Sequence, residues 1–183
     1  MIRAILIRRE QGLAGDCTSK IPFKSIFRTT FAPGLLSATD VAVSALIPAV
    51  ELPQFGNDGE TWISVTVLVQ SGRTIGFGRL LGREAKTVNA MTALVRHEAT
   101  RQRVCVRNAL DDPALGRDYA RGFEGIQTAD YALTIHGLAI GFANGVITGP
   151  SCGRIDVLVP YRLAEPLLSP LGKRLVAEVS LPR

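Results

Sequence analysis

The most regular hydrophobic pattern in the chain lies in its last third, where two apolar runs, 131–135 and 138–142, flank His136 and Gly137. A two-residue loop with glycine second is typical of a primed hairpin turn, because the second position needs a positive φ. Such a turn would place the large apolar side chains of both runs on one face of the hairpin. It predicts three cross-strand pairs: Ile135 with Leu138, Leu133 with Ile140, and Tyr131 with Phe142.

Alternation with a period of two predicts several further strands. In segment 62–70 both faces carry apolar residues, so this strand is predicted to lie inside a sheet, with a return strand over 73–77 after a turn at Ser71 and Gly72. The remaining predicted strands cover 41–47, which Pro48 closes, 154–159 and 173–181.

A helical period appears over 84–104, which we predict to be the main helix. Val88, Met91 and Val95 fall on one stripe, which predicts the face that packs on the sheet. His97 falls on the opposite face. The polar residues predicted to be solvated or to face a partner are Arg96, His97, Arg101 and Arg103.

These elements predict an α+β fold, with a mainly antiparallel sheet of about five or six strands and one main helix packed on one of its faces. A length of 183 residues suits a single domain. Residues 61–183 are predicted to form its regular core. Residues 1–60 are predicted to be a less regular N-terminal portion of the same domain.

Composition and charge limit the range of partners. Hydrophobic residues make up 46% of the chain and charged residues 20%, which is typical of a globular domain. The formal charge of +5 permits an anionic partner. The basic residues are nevertheless spread along the chain, which argues against nucleic acid. The apolar segment 35–50 is short and contains Asp40 and Pro48, so no transmembrane segment is predicted.

Short motifs in the second half of the chain carry a family resemblance. An aromatic residue precedes Leu133-Thr134 and Gly137-Leu138, and a Val/Ile strand ends in Pro160-Tyr161. Further matching positions are Ser71-Gly72-Arg73, Phe142, Gly149-Pro150, Gly153 and Val157. Over about its last two thirds the chain resembles the C-terminal extracytoplasmic domain of RsiV-type anti-sigma factors. This domain of unknown function also occurs in PdaC-type peptidoglycan deacetylases and in small secreted mycobacterial antigens.

The resemblance implies the same α+β arrangement and a bacterial domain of the cell envelope, periplasmic or secreted. It also implies a non-catalytic role in binding or sensing a protein or cell-wall ligand. An anionic cell-wall polymer suits the charge of +5 better than a basic protein does. The first ten residues contain an apolar stretch shorter than the roughly 7–15 residues of a signal peptide. An intracellular protein-interaction domain is therefore an alternative.

The three cysteines, Cys17, Cys105 and Cys152, do not form a metal-binding pattern. No metal or other cofactor is predicted. One disulfide with a free thiol and three separate thiols both agree with the sequence, and the spacing does not choose a pair.

The segment from Gly149 to Gly153 matches G-x-S-x-G, which in α/β-hydrolases exposes a nucleophilic serine between a strand and a helix. Here a predicted strand follows Ser151. The two histidines, His97 and His136, lie on a helix face and in a turn, so no proton acceptor is evident. No catalytic residue is predicted, and a small hydrolase that uses Ser151 or Cys152 is the alternative.

The loop over 144–154 is the predicted ligand-binding segment. It joins two predicted core strands, and its glycines and Pro150 fix its course. Loops on a rigid sheet are a common place for binding sites. The predicted ligand-binding residues are Asn144, Thr148, Ser151 and Arg154.

Overall fold

The computed structural model describes residues 26–29, 36–52 and 59–180. Within these ranges the chain forms seven strands, six α-helices and three short 3-10 turns. The strands are β1 (Ile26–Thr29), β2 (Leu36–Ala38), β3 (Ala42–Leu52), β4 (Gly59–Leu68), β5 (Asp130–Thr134), β6 (Gly137–Phe142) and β7 (Ile155–Val159). The helices are α1 (Phe77–Leu80), α2 (Ala85–Gln102), α3 (Val104–Leu110), α4 (Gly116–Arg121), α5 (Tyr161–Ala164) and α6 (Pro170–Ser180). The 3-10 turns are Ile126–Thr128, Pro150–Cys152 and Glu165–Leu167.

The strands form two antiparallel sheets. In the first sheet β4 pairs with one edge of β3, while β2 and β1 pair with the first and second halves of its other edge. In the second sheet β5, β6 and β7 follow one another in chain order. The predicted α+β fold is confirmed, with its strands divided between two sheets.

Strand β3 is longer than predicted, because it continues through Pro48 to Leu52. Pro48 pairs with Trp62 of β4. On the other edge of β3, the pairing with β2 ends at Ala45 and the pairing with β1 begins at Ala49, so among the described residues Pro48 has no strand partner on that edge. A proline lacks the amide hydrogen, and a strand accepts it where one edge has no partner. The prediction that Pro48 ends the strand is wrong for this reason.

Strand β4 lies at an edge of its sheet. The sequence predicts that β4 lies inside a sheet and pairs with a return strand over 73–77. Within the described residues, the segment after the turn pairs with β4 only through a bridge between Val67 and Thr74. Phe77 already begins α1. On one face of β4, Trp62 packs on Ala132 and Ala139 of the second sheet, and on the other face Ile63, Val65 and Val67 are also buried. Burial of both faces therefore does not require an interior position in a sheet.

The second sheet lies between the first sheet and the helices. Its small-residue face, with Ala132 and Ala139, packs on Leu46 and Trp62 of the first sheet. A Cβ atom on Gly141 would lie 2.6 Å from the indole Cδ1 atom of Trp62, so small side chains allow this close approach. The opposite face buries its large residues against α2 in a core that includes Tyr131, Leu133, Leu138, Ile140, Val157, Met91 and Val95. His97 is exposed, as predicted.

Serine side chains join the outer edge of β5 to the first sheet. The Ser37 hydroxyl donates to the carbonyl oxygen of Leu133 over 2.6 Å, and the Leu133 amide donates to Ser44 Oγ over 2.8 Å. At the start of β5, the Asp130 carboxylate accepts hydrogen bonds from the amide and the hydroxyl of Ser64. These bonds satisfy backbone groups that a bare strand edge would leave open.

The end of α2 covers the outer edge of β7. The amide side chain of Gln102 donates to the Leu158 carbonyl over 2.6 Å and accepts from the Leu158 N–H over 3.0 Å, as a neighbouring strand would. The buried Glu98 carboxylate holds that amide over 2.9 Å. Burial alone would raise the pKa of Glu98, but hydrogen bonds from Arg101 and Gln102 and the charge of Arg101 hold it below its usual value.

Gln102→Leu should reduce the free energy of unfolding by about 1–3 kcal/mol, because both backbone groups of Leu158 lose their partner. Arg103→Leu is the matched control. It removes an ion pair with Asp156 and two 3.3 Å hydrogen bonds to the Asp156 carbonyl. The two side chains are 43% and 36% exposed and water can replace these contacts, so the loss is worth less than about 1 kcal/mol. Urea denaturation of both variants measures the difference. Equal losses would contradict the role of Gln102 as a strand mimic.

The predicted hairpin exists, but its turn is displaced. Thr134 pairs with Gly137 and Leu133 with Leu138, so the turn residues are Ile135 and His136. The predicted pairs are therefore wrong, because Leu133 pairs with Leu138 and not with Ile140, a shift of two residues. Gly137, the predicted second residue of the turn, is instead the first residue of β6. The Thr134 hydroxyl fixes this turn, because it donates to the Gly137 carbonyl and accepts from the His136 amide.

The predicted last strand over 173–181 is wrong, because Pro170–Ser180 forms helix α6. Leu175 and Val179 are buried one helical turn apart, and Val176 is buried beside them. The Ser169 hydroxyl caps the helix by accepting from the Gly172 amide over 3.2 Å. The alternation over residues 175–180 is compatible with a strand. The capping Ser169 followed by Pro170 is typical of the start of a helix.

Candidate functional site

The loop between β6 and β7 is held in a fixed course by glycines. Gly145 and Gly153 have φ values of 80° and 65°, a region that favours glycine. Between them, Pro150–Cys152 forms a 3-10 turn that places Ser151 at the surface. The loop therefore presents its tip to solvent from a defined backbone.

Glu60 on β4 is the residue on which both ends of the loop converge. Its backbone carbonyl accepts from the Asn144 amide over 2.8 Å, and its carboxylate accepts from the Arg154 amide over 3.1 Å. The Arg154 guanidinium lies 3.4 Å from Glu60 Oε1 and stands 5.3 Å from the ring centroid of Trp62. The φ of 65° at Gly153 favours glycine, and a Cβ atom there would also lie 2.7 Å from Glu60 Oε2 and displace the carboxylate.

The four predicted ligand-binding residues have different environments. Asn144 is half-buried, and its side-chain oxygen is buried without a hydrogen-bond donor in the described structure. Thr148 is only 1% exposed, so a ligand would reach it only after the loop moves. Ser151 is exposed, and Arg154 is half-buried against Glu60 and Trp62. The structure thus brings Asn144 and Arg154 together and leaves Ser151 at the tip.

Ser151 lacks the surroundings of a nucleophile. Among the described residues, no hydrogen bond joins its hydroxyl to a histidine or a carboxylate. His136 lies in the turn at the opposite end of β6, which is about 20 Å away along the strand. His97 lies on α2 and lines a different surface. The geometry does not assemble a base beside Ser151.

The thiols of Cys105 and Cys152 contact each other. Both are half-buried, and the described structure shows both as free thiols. Burial, together with contact with the Cys152 thiol, raises the pKa of Cys105 to about 11. Cys105 is therefore protonated at neutral pH and a poor nucleophile. Cys17, the third cysteine, lies outside the described residues.

A second surface, the α2/α4 cleft, was not predicted as a site. It has a volume of about 780 Å³, within the range of small-molecule sites. Its polar lining consists of Asn89, Thr92, Arg96, His97, Thr100, Arg117, Arg121 and Glu124. The sequence indicated the polar face of α2, but it gave no signal that α4 would bring further arginines to the same place.

Helix α4 stands between this cleft and the loop. Arg117 and Arg121 line the cleft, whereas Gly122 touches the loop so closely that a Cβ atom would overlap the Val146 carbonyl. The hydroxyl of Tyr119 also lies beside the loop, at an ordinary contact distance of 3.5 Å from where a Cβ atom on Gly149 would stand. The two candidate surfaces therefore use different faces of one short helix.

Metal sites and membrane-spanning helices are both absent from the described residues. Across 26–29, 36–52 and 59–180, no group of three or more histidine, cysteine, aspartate or glutamate side chains is placed to hold a metal ion. None of the helices in these ranges combines the length and the apolar character that crossing a membrane requires.

No protein-family model matches the sequence, and no curated protein matches it significantly. A solved DUF3298 family protein from Pseudomonas aeruginosa superposes with a TM-score of 0.55 at 14% identity, over 89% of this chain and 68% of that one. A solved member of the same family from Bacteroides fragilis gives a TM-score of 0.56 at 13% identity, over 94% of this chain and 64% of that one. The chain thus spans about two thirds of the length of these proteins. Its fold is the one seen in DUF3298 family proteins, with which the RsiV- and PdaC-type resemblance is compatible.

Proposed function

We propose that the protein is a non-catalytic binding domain that acts outside the cytoplasm, in the cell envelope or as a secreted protein. Its ligand is an anionic cell-wall polymer or a protein, which meets the loop over 144–154. One observation carries the proposal: the Glu60, Arg154 and Trp62 cluster ties this polar loop to a rigid strand and leaves Ser151 exposed at its tip. A loop fixed in this way presents its groups without a large ordering cost on binding.

The absence of a base beside Ser151 in the described structure supports binding over hydrolysis, because acyl transfer by serine needs a proton acceptor. The raised pKa of about 11 makes Cys105 itself a poor nucleophile at neutral pH. The net charge of +5 favours an anionic polymer over a basic protein.

Ser151→Lys should increase, and Ser151→Asp should decrease, the retention of the purified protein on isolated bacterial cell walls. Both changes affect an exposed side chain, so neither disturbs the core. For a single charge at the surface we expect a change of about two- to fivefold in opposite directions, which 0.5 M salt should largely remove. Co-sedimentation at several salt concentrations measures the retention.

Ser151→Ala is the neutral control and should be retained like the parent. Walls treated with protease distinguish the two ligand classes, since a polymer ligand survives the treatment and a protein ligand does not. Equal retention of the Lys and Asp variants would contradict binding by the loop. Release of ester or glycan products that disappears in Ser151→Ala would replace the binding proposal with the hydrolase.

A further inference from the structure

The α2/α4 cleft is a second surface, separate from the loop. We infer that it binds the phosphate groups of a polyol-phosphate or sugar-phosphate chain. This inference concerns a different face of α4 from the one that packs on the loop, and so it does not depend on loop binding.

The charge of the cleft is the first argument. Three arginines line it against one glutamate. The guanidinium groups of Arg96 and Arg117 have no ion pair or hydrogen bond within the described structure, so two positive charges, one on each helix, line the cleft without a partner. Arg121 lies 3.1 Å from Asp118, but both side chains are exposed and solvent weakens their attraction. An anion between the helices would relieve this repulsion, and guanidinium groups match phosphate oxygens with two parallel hydrogen bonds.

The neutral polar side chains of the cleft are the second argument. The hydroxyls of Thr92 and Thr100 donate to the helix carbonyls of Val88 and Arg96 over 3.0 and 2.8 Å. Their oxygens can therefore accept hydrogen bonds from a ligand. Asn89 adds both donors and an acceptor at the end of the same row. These side chains can accept hydrogen bonds from alcohol hydroxyls, and the neighbouring arginines can bind phosphate. The combination suits a phosphorylated polyol or sugar.

The aromatic residue of the cleft does not favour a single-stranded nucleic acid as the ligand. Proteins that bind single strands stack bases on exposed aromatic rings. The aromatic residue of this cleft, Phe123, is only 1% exposed and packs edge-on against Phe142. The described lining thus offers no exposed ring on which a base could stack.

The test uses calorimetric titration of the full chain with an oligomer of glycerol phosphate. The double variant Arg96→Gln, Arg117→Gln should bind about tenfold or more weakly, because two charge-assisted hydrogen-bonding groups are lost. Glu124→Gln should bind about two- to threefold more tightly, because a repelling carboxylate is removed. Both arginines are exposed and unpaired, so the double variant should melt like the parent.

The matched control is Arg107→Gln, Arg162→Gln, which loses the same two charges at exposed positions outside the cleft and should bind within about twofold of the parent. Inorganic phosphate should bind more weakly than the oligomer at equal phosphate concentration, since it lacks the alcohol hydroxyls and the carbon chain. An equal loss in the control, no binding by the parent, or equal affinity for inorganic phosphate would overturn the inference. So would polyglutamate or an oligonucleotide that binds the cleft as tightly. The Ser151 variants keep the cleft intact, so their outcome is independent of this one.

Discussion

Met91→Asp should leave the protein unfolded or aggregated at room temperature. Met91 is fully buried on the face of α2 that packs on the second sheet. Aspartate there either buries a charge or becomes protonated, and it also removes a large apolar side chain. We expect a loss of at least about 4–5 kcal/mol, which approaches the whole stability of an ordinary domain.

Ala93→Asp is the matched control, because it introduces the same side chain two residues further along α2, at an exposed position. It should cost less than about 1 kcal/mol, mostly through helix propensity. Circular dichroism during thermal unfolding, together with the soluble yield, measures both variants. If Met91→Asp and Ala93→Asp melt alike, the buried face of α2 has been assigned incorrectly.

The hairpin shows what a period-two pattern can and cannot predict. The predicted and observed registers differ by two residues, so every apolar side chain stays on its predicted face except that of Ile135, which is 68% exposed in the turn. A shift of two leaves the pattern of faces unchanged, and the pattern therefore cannot detect it. The turn was decided by the Thr134 hydroxyl and by the close contact of Gly137 with β7, which depends on a distant segment.

The last helix was predictable from a signal that the alternation concealed. Leu175 and Val179 fit both a period of two and a helical turn, so six residues could not distinguish the alternatives. Ser169 followed by Pro170 is a helix-start pattern, and the structure uses Ser169 as the cap. Capping residues thus deserve more weight than alternation when an apolar segment is short.

The candidate surfaces depend on contacts that no local pattern contains. Glu60 holds Arg154 from a position 94 residues earlier in the chain. Arg96 and Arg117 belong to different helices, and the periodicity of each helix indicates its polar face but not which faces meet. The sequence could therefore predict the loop and the polar face of α2, whereas their supporting residues and the cleft required the tertiary structure.

Gly137→Val should destabilise the fold by about 2–5 kcal/mol. Gly137 has a φ of 152°, which L side chains rarely adopt, and strain of this kind costs about 1–3 kcal/mol. A Cβ atom at this position would also lie 2.6 Å from the carbonyl oxygen of Val159 on β7. That contact is with the backbone of β7 at the end of the second sheet where β6 begins, so it can be relieved only by moving β7 away from β6, which costs further hydrogen bonds.

His136→Val is the control that separates the strained φ and the contact with Val159 from the general effect of a valine in a hairpin. His136 is the adjacent residue, is exposed and has negative φ, so valine there should change the free energy of unfolding by less than about 1 kcal/mol. Gly137→Ala should fall between the two, because it already brings the Cβ atom to Val159 but adds no β-branch. Chemical denaturation of the three variants should give the order His136→Val, Gly137→Ala, Gly137→Val in increasing loss. If Gly137→Ala were as stable as the parent, the close contact of Gly137 with Val159 would be wrong, and with it the register of β6 and β7 that pairs Leu138 with Val159.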